Sequence, residues 1–220
     1  MIGKFAGYVA VFAFLVFCIA PRSARADEVV AVSVNTSSVA GLAGSEVFFE
    51  FTDGSGLGDA NNTVTLTGFS LGGGTAGAVD TNPLDTTGGF DPASDLGSQV
   101  SITDSSFFNE FAQFFTPGSV LSFTLDLTTN VDAGGVPDQF SMYIYDPNSN
   151  SIATTADPTG GDSLLSISLD SSSNPTTNNF DPALVTSGVT APTPEPSTLL
   201  LLFSGLAALG LLRRRQNVSH

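Results

Sequence analysis

Between Asp27 and Leu212 the chain contains no lysine, arginine, histidine or cysteine. Its six basic residues are Lys4, Arg22, Arg25, Arg213, Arg214 and Arg215, and its single Cys18 and single His220 also lie near the ends. All 21 acidic residues fall between Asp27 and Glu195. A body of this composition can form neither side-chain ion pairs nor disulfides. Apolar burial and hydrogen bonds must hold it, and any carboxylate taken out of water must be hydrogen-bonded or protonated. The same inventory excludes thiol chemistry, zinc sites with His or Cys ligands, Ser-His-Asp triads and Cys-His pairs from the body. With a formal net charge of −15, the chain is a poor partner for nucleic acid, since it has no phosphate-binding surface.

From Asp27 to Asp170 the texture is one of short alternating or apolar runs bounded by Gly, Asp, Asn, Ser and Pro, which is the pattern of antiparallel β structure. The clearest run is Val120 to Thr128, in which Leu121, Phe123, Leu125 and Leu127 share one face and Ser122, Thr124, Asp126 and Thr128 the other. Val29 to Val34, Val47 to Phe51, Asn62 to Leu71, Gln99 to Thr103, Phe140 to Tyr145 and Leu164 to Leu169 read as further strands. Strands at this spacing predict a mainly β domain, an antiparallel β-sandwich with the jelly roll as one form it could take. One segment departs from the pattern. Phe107, Phe108, Phe111, Phe114 and Phe115 recur at spacings of three and four, which predicts a short amphipathic helix plugging one end of the sandwich. Gly72 to Gly97 reads as a long loop or an irregular edge hairpin. Residues 171–193 are rich in Ser, Thr, Asn and Pro and read as a flexible tether, within which Ala183 to Thr186 could add an edge strand.

Three acidic loops offer oxygen ligands for a hard cation such as calcium: Asp53 with Asp59, Asn61 and Asn62; Asp132 with Asp138; and Asp157 with Asp162. None follows the EF-hand order, and solvated turn aspartates that keep the protein soluble are the simpler account of them. For an enzyme, only a pair of carboxylates is available, as in a glycosidase. Glu46, Glu50 and Glu110 are ordinary candidates, Glu50 on a wet strand face and Glu110 on the polar side of the Phe-rich segment. The expectation is no catalytic residue, no resident cofactor and a noncatalytic domain.

The ends are more specific. Lys4, the apolar stretch Phe5 to Ala20 and the pattern Ala24-Arg25-Ala26 predict a signal peptide over residues 1–26, cut after Ala26 by signal peptidase. At the other end Pro194-Glu195-Pro196 precedes the uncharged run Ser197 to Leu212 and then Arg213, Arg214 and Arg215. At ~1.5 Å per residue that run is about 24 Å long as a helix, close to the ~30 Å of a bilayer core. The arginines would stop transfer and leave the body outside the cytoplasm. Residues 216–220 form a polar tail.

Pro194-Glu195-Pro196-Ser197-Thr198, the Leu-rich span and the arginine triplet resemble the sorting signal of PEP-CTERM proteins, exported, exopolysaccharide-associated proteins of Gram-negative bacteria. The resemblance implies processing by an exosortase that recognises Pro194, Glu195 and Pro196 and removes the anchor. It further implies transient anchoring in the inner membrane, then residence at the cell surface or in the extracellular matrix, with exopolysaccharide as a partner. Val34-Asn35-Thr36-Ser37-Ser38 and Phe108-Asn109-Glu110-Phe111, leading into Leu121-Ser122-Phe123, also resemble one ectodomain subfamily of these proteins, which implies no activity. The expected organisation is therefore a signal peptide at 1–26, an acidic β-sandwich at 27–170, a linker at 171–193 and a sorting signal at 194–215.

Overall fold

The computed structural model describes residues 28–130, 136–158, 160–169 and 175–190. The signal-peptide segment with Ala24 and Ala26, the loop residue Asp132, and the C-terminal segment with Pro194, Glu195, Pro196, Arg213, Arg214 and Arg215 lie outside the described residues. The chain runs through β1 (Glu28–Asn35), a 3-10 turn (Ser37–Val39), β2 (Ser45–Thr52), β3 (Thr63–Ser70), β4 (Thr75–Val79) and β5 (Gly89–Phe90). It continues through β6 (Gln99–Thr103), β7 (Phe108–Thr116), β8 (Val120–Leu127), β9 (Asp138–Tyr145), β10 (Leu165–Leu169), β11 (Thr176–Asn179) and β12 (Val185–Thr190).

These strands form two antiparallel six-stranded sheets, ordered β12-β1-β8-β3-β6-β5 and β11-β10-β9-β2-β7-β4. Every segment read as a strand from its alternation lies on one. The period of two decides which residues face inward: Val30, Val32 and Val34 of β1 and Val47, Phe49 and Phe51 of β2 are buried between the sheets. Four rings join the layers. Phe49 of β2 meets Phe123 of β8 edge-on at 5.5 Å and stacks on Phe140 of β9 at 6.2 Å, while Phe69 of β3 lies 5.6 Å from Phe123. Each such contact adds about 0.5–1.5 kcal/mol to the gain from burial. At one end the turn after β3 docks on the turn before β8, where Gly118 donates its N–H to the Leu71 carbonyl at 3.0 Å. A Cβ on Gly118 would lie 2.0 Å from the Gly72 carbonyl oxygen, so only glycine fits there.

The Phe-rich segment is a strand, not the predicted helix. Among the described residues the only helical element is the 3-10 turn, and no helix is long and apolar enough to cross a membrane. In β7 the inward positions are Asn109, Phe111, Gln113 and Phe115, while Phe108 and Phe114 face out and are less buried. Two buried amides thus sit where alternation would place apolar groups, and two outward phenylalanines complete a spurious helical spacing. The amides are satisfied. Asn109 Nδ2 donates to the Phe51 and Ser106 carbonyls at 2.9 and 2.7 Å, and Gln113 Nε2 donates to the Gly77 carbonyl at 2.9 Å. Strand pairing on both sides of β7, with β2 and β4, overrides the local helical pattern.

The segment read as a tether is also largely built into the sandwich. β11 pairs with β10, and β12 pairs with β1 from Val34–Val185 to Val29–Thr190. Val185 is buried, and the Asp181 carboxylate caps the connection by accepting from the Thr154 hydroxyl at 2.8 Å and from the Leu184 N–H at 3.3 Å. Low hydrophobicity concealed these strands because each lies at a sheet edge, where backbone pairing supplies most of the contact. Removing them uncovers the flank of β1. A chain ending at residue 170 is therefore expected to lose about 3 kcal/mol or more against one ending at residue 190, read as a lower urea midpoint. Equal midpoints would show that the two strands add nothing.

Candidate functional site: an acidic, aromatic groove

The outer face of the second sheet is organised by three cross-strand rows. Tyr145, Glu46 and Phe114 stand abreast, then Tyr143, Phe48 and Ala112, then Ser141, Glu50 and Glu110. Acids and rings thus alternate along β2, flanked by Tyr145 and Tyr143 on β9 and by Phe114 and Glu110 on β7. Beside them the chain leaves the sheet edge after β4 and returns at Thr87, which exchanges backbone hydrogen bonds with Glu110 at 2.9 and 2.8 Å. That excursion brings Asp80 and Asp85 to the rim. The result is an open groove of about 500 Å³ lined by Glu46, Phe48, Glu50, Asp85, Glu110, Phe114, Tyr143 and Tyr145, with Asp146 and Ser149 at one end.

The three glutamates differ in their surroundings. Glu50 accepts the Tyr143 hydroxyl at 3.0 Å on one oxygen and the Thr52 hydroxyl at 2.8 Å on the other. Glu110 is 8% exposed, lines the groove, and its carboxyl has no hydrogen-bond partner in the protein. Burial, and then the charges of Glu50, Asp85 and Glu46, push it up to about 8. Glu46 is likewise raised to about 8 by burial and by the adjoining Asp80, and its Oε1 is buried without a partner. Burial first and Glu50 second raise the Tyr143 phenol, which stays a donor to Glu50. In the row between the outer glutamates, Phe48 meets Tyr145 edge-on at 5.5 Å.

The loop residues considered for a cation are placed differently. Asp53 is buried and its carboxylate is turned to its own loop, accepting from Ser55 N at 2.7 Å, Gly56 N at 3.1 Å and Gly58 N. Burial acts to raise it, but the N–H groups of Gly58, Ser55 and Gly56 together hold it below the ordinary range. Asp59 is exposed and bonds Asn61 through the Asn61 amide at 3.1 Å, while Asn62 joins Asp104 and Asp138 instead. Asp104 is pushed up to about 7, chiefly by burial, against the Asn62 N–H and with Asp138 adding to the rise. Asp157 is buried and accepts the Ser163 hydroxyl, whereas Asp162 is exposed. Among the described residues no three acidic side chains gather as ligands of one ion. The sequence named Glu46, Glu50 and Glu110 separately. Reading β7 with a period of two is the signal that sets Glu110 opposite Glu50.

The folded unit is thus a β-sandwich bearing an acidic groove, and comparison with known proteins bears on the C-terminal end of the chain. The PEP-CTERM protein-sorting motif matches residues 192–216. The chain therefore carries the signal by which exosortase sorts proteins to the cell surface. A comparison with curated proteins yields no match. Two crystal structures of BcpA, the major pilin subunit of Bacillus cereus, align at 10% identity over 76% of this chain and 46% of the pilin, with a TM-score of 0.10. That likeness is too low to carry an argument, and the chain spans less than half of the pilin's length.

Glu46, Glu110 and Asp104 hold protons in the folded state that ordinary carboxyls release near pH 4, so the folded chain binds more protons than the unfolded one up to about pH 8. Stability must therefore fall as pH rises through that window. Asp53 and Asp181 act in the opposite sense, but only below their ordinary value of 3.8. The melting temperature is expected to be highest at about pH 4 and roughly 5 °C or more lower at about pH 8.5, with the slope reduced in Glu110→Gln. A melting temperature that is flat or rising across that interval would contradict the assignment.

Proposed function

We propose that this is a cell-surface or extracellular-matrix protein whose β-sandwich is displayed outside the cell and acts by holding matrix polysaccharide rather than by catalysis. The observation that carries the reading is the sorting motif at residues 192–216, in a chain whose last described strand ends at Thr190. Export by the N-terminal signal, recognition of Pro194, Glu195 and Pro196, and removal of the span 197–212 with Arg213, Arg214 and Arg215 complete the route. The winding of β1-β8-β3-β6 against β2-β7-β4 follows the order of a jelly roll, an architecture common among lectin domains.

A noncatalytic role is supported by the groove. Glu50 is the residue placed to act with Glu110 as a carboxylate pair, but both its oxygens already accept hydroxyls from Tyr143 and Thr52. No lysine or arginine stands in the folded unit to stabilise a developing anion. Binding is instead favoured by exposed ring surface next to polar side chains.

The sorting step is tested by replacing Pro194, Glu195 and Pro196 with alanine in the native host. The expected product keeps the residues from Ser197 to His220 and stays in the membrane fraction, whereas the unaltered protein loses them, as read by intact mass. A tail retained by the unaltered protein would refute processing.

A further inference from the structure

The outer face of the second sheet carries a concentration of acid that no basic side chain answers. Glu46, Glu50 and Glu110 share one groove with Asp85, and Asp80 adjoins Glu46. Elsewhere in the fold, buried carboxylates are answered by backbone N–H groups, as at Asp53 and Asp181. Glu110 is not: it is more than nine-tenths buried, aimed into the groove and without a partner. The walls around it are aromatic. Phe48, Phe114, Tyr143 and Tyr145 offer ring faces and edges at the same level as the acids.

We propose that this groove binds an organic ammonium group carried on a saccharide, that is, an amino sugar with a free amine. Three observations select this chemistry. An ammonium satisfies the unpartnered carboxyl of Glu110, and a second one, two rows along the sheet, satisfies the buried Oε1 of Glu46, which a neutral hydroxyl cannot do for charge. The rings favour an organic cation, whose C–H surface packs on them while its charge meets their faces. A bare divalent ion is disfavoured, because no three carboxylates converge as ligands and about 500 Å³ far exceeds what one ion fills. The saccharide carrier, rather than a basic peptide, follows from the hydroxyl groups of Tyr145 and Ser149 among the lining residues, which suit ring hydroxyls, while the Asp146 carboxylate is taken up by Asn148 and Asn150 of its own turn. The inference rests on the surface-display reading only for the source of the ligand.

The charged and titratable groups facing the bound amine are Glu46 and Glu50 from β2, Glu110 from β7, Asp80 and Asp85 from the excursion after β4, and Tyr143, Tyr145 and Asp146 from β9 and the residue beyond it. An ammonium among them draws Glu46 and Glu110 to their charged forms. Binding must therefore expel protons, about one to two per ligand near neutral pH. An uncharged sugar of the same shape expels none.

The test is titration calorimetry on the mature protein recovered from the native host, in two buffers of different ionisation heat. The probes are the glucosamine tetramer, the N-acetylglucosamine tetramer, tetralysine and calcium chloride. The glucosamine tetramer is expected to bind with proton release, at least tenfold more tightly than its acetylated form. Glu110→Gln and Glu46→Gln should each weaken it tenfold or more while their melts stay cooperative. Tyr145→Ala, which leaves the acids in place, should weaken it as well. Equal binding of the acetylated tetramer, binding without proton release, or tighter binding of tetralysine or calcium would each overturn the proposal. None of these results alters the mass of the processed C-terminus, so failure here is separable from failure of the sorting assignment.

Discussion

A domain with acids and no bases has to solve every buried carboxylate without a counter-ion, and that constraint shapes this fold more than any single contact. Two solutions are visible. In the first, the carboxylate turns to backbone amides: Asp53 collects N–H groups from its own loop, and Asp181 caps the approach to β12. Such sites fix loop geometry, because each oxygen is committed to particular donors. In the second, the acid keeps its proton, as burial and neighbouring charge favour for Asp104 and Glu46. A protonated carboxyl is a neutral polar group, and its cost is that of a hydroxyl rather than of an ion.

The core follows from the same scarcity. With neither disulfides nor ion pairs, the sheets are held together by the fully buried Phe49, Phe111, Phe115 and Phe140 and by aliphatic residues from both layers. The buried amides of Asn109 and Gln113 serve as connectors. Gln113 accepts the Leu96 N–H at 2.8 Å and donates to Gly77, so one side chain fastens the crossover before β6 to the strand β7. Such satisfied polar groups specify register where apolar packing alone would tolerate a shift.

The regular strands were legible from sequence because their alternation is clean. Leu121, Phe123, Leu125 and Leu127 announce β8 without ambiguity. The failures share a cause. In β7, inward Asn109 and Gln113 break the apolar alternation, and outward Phe108 and Phe114 supply a false one. In β11 and β12, the edge position relaxes the demand for hydrophobic residues until Ser, Thr and Asn read as tether. The groove was half legible. Its acids could be named, but their convergence depends on the pairing of Glu50 with both Ser141 and Glu110, a long-range register that no local window contains.

The adjacency of β1 and β12 has a mechanical meaning. Val29 faces Thr190 across the antiparallel pair, so the first strand begins where the last one ends. A load carried between these neighbouring ends bears on one rung of backbone hydrogen bonds at a time, opening the pair like a zipper instead of shearing all rungs together. The inner strands, from β8 onward, would feel that load only after β12 had peeled away. The sandwich thus has a sacrificial margin at the paired ends of β1 and β12, and extension there can absorb a tug on the chain while the groove on the opposite sheet keeps its shape.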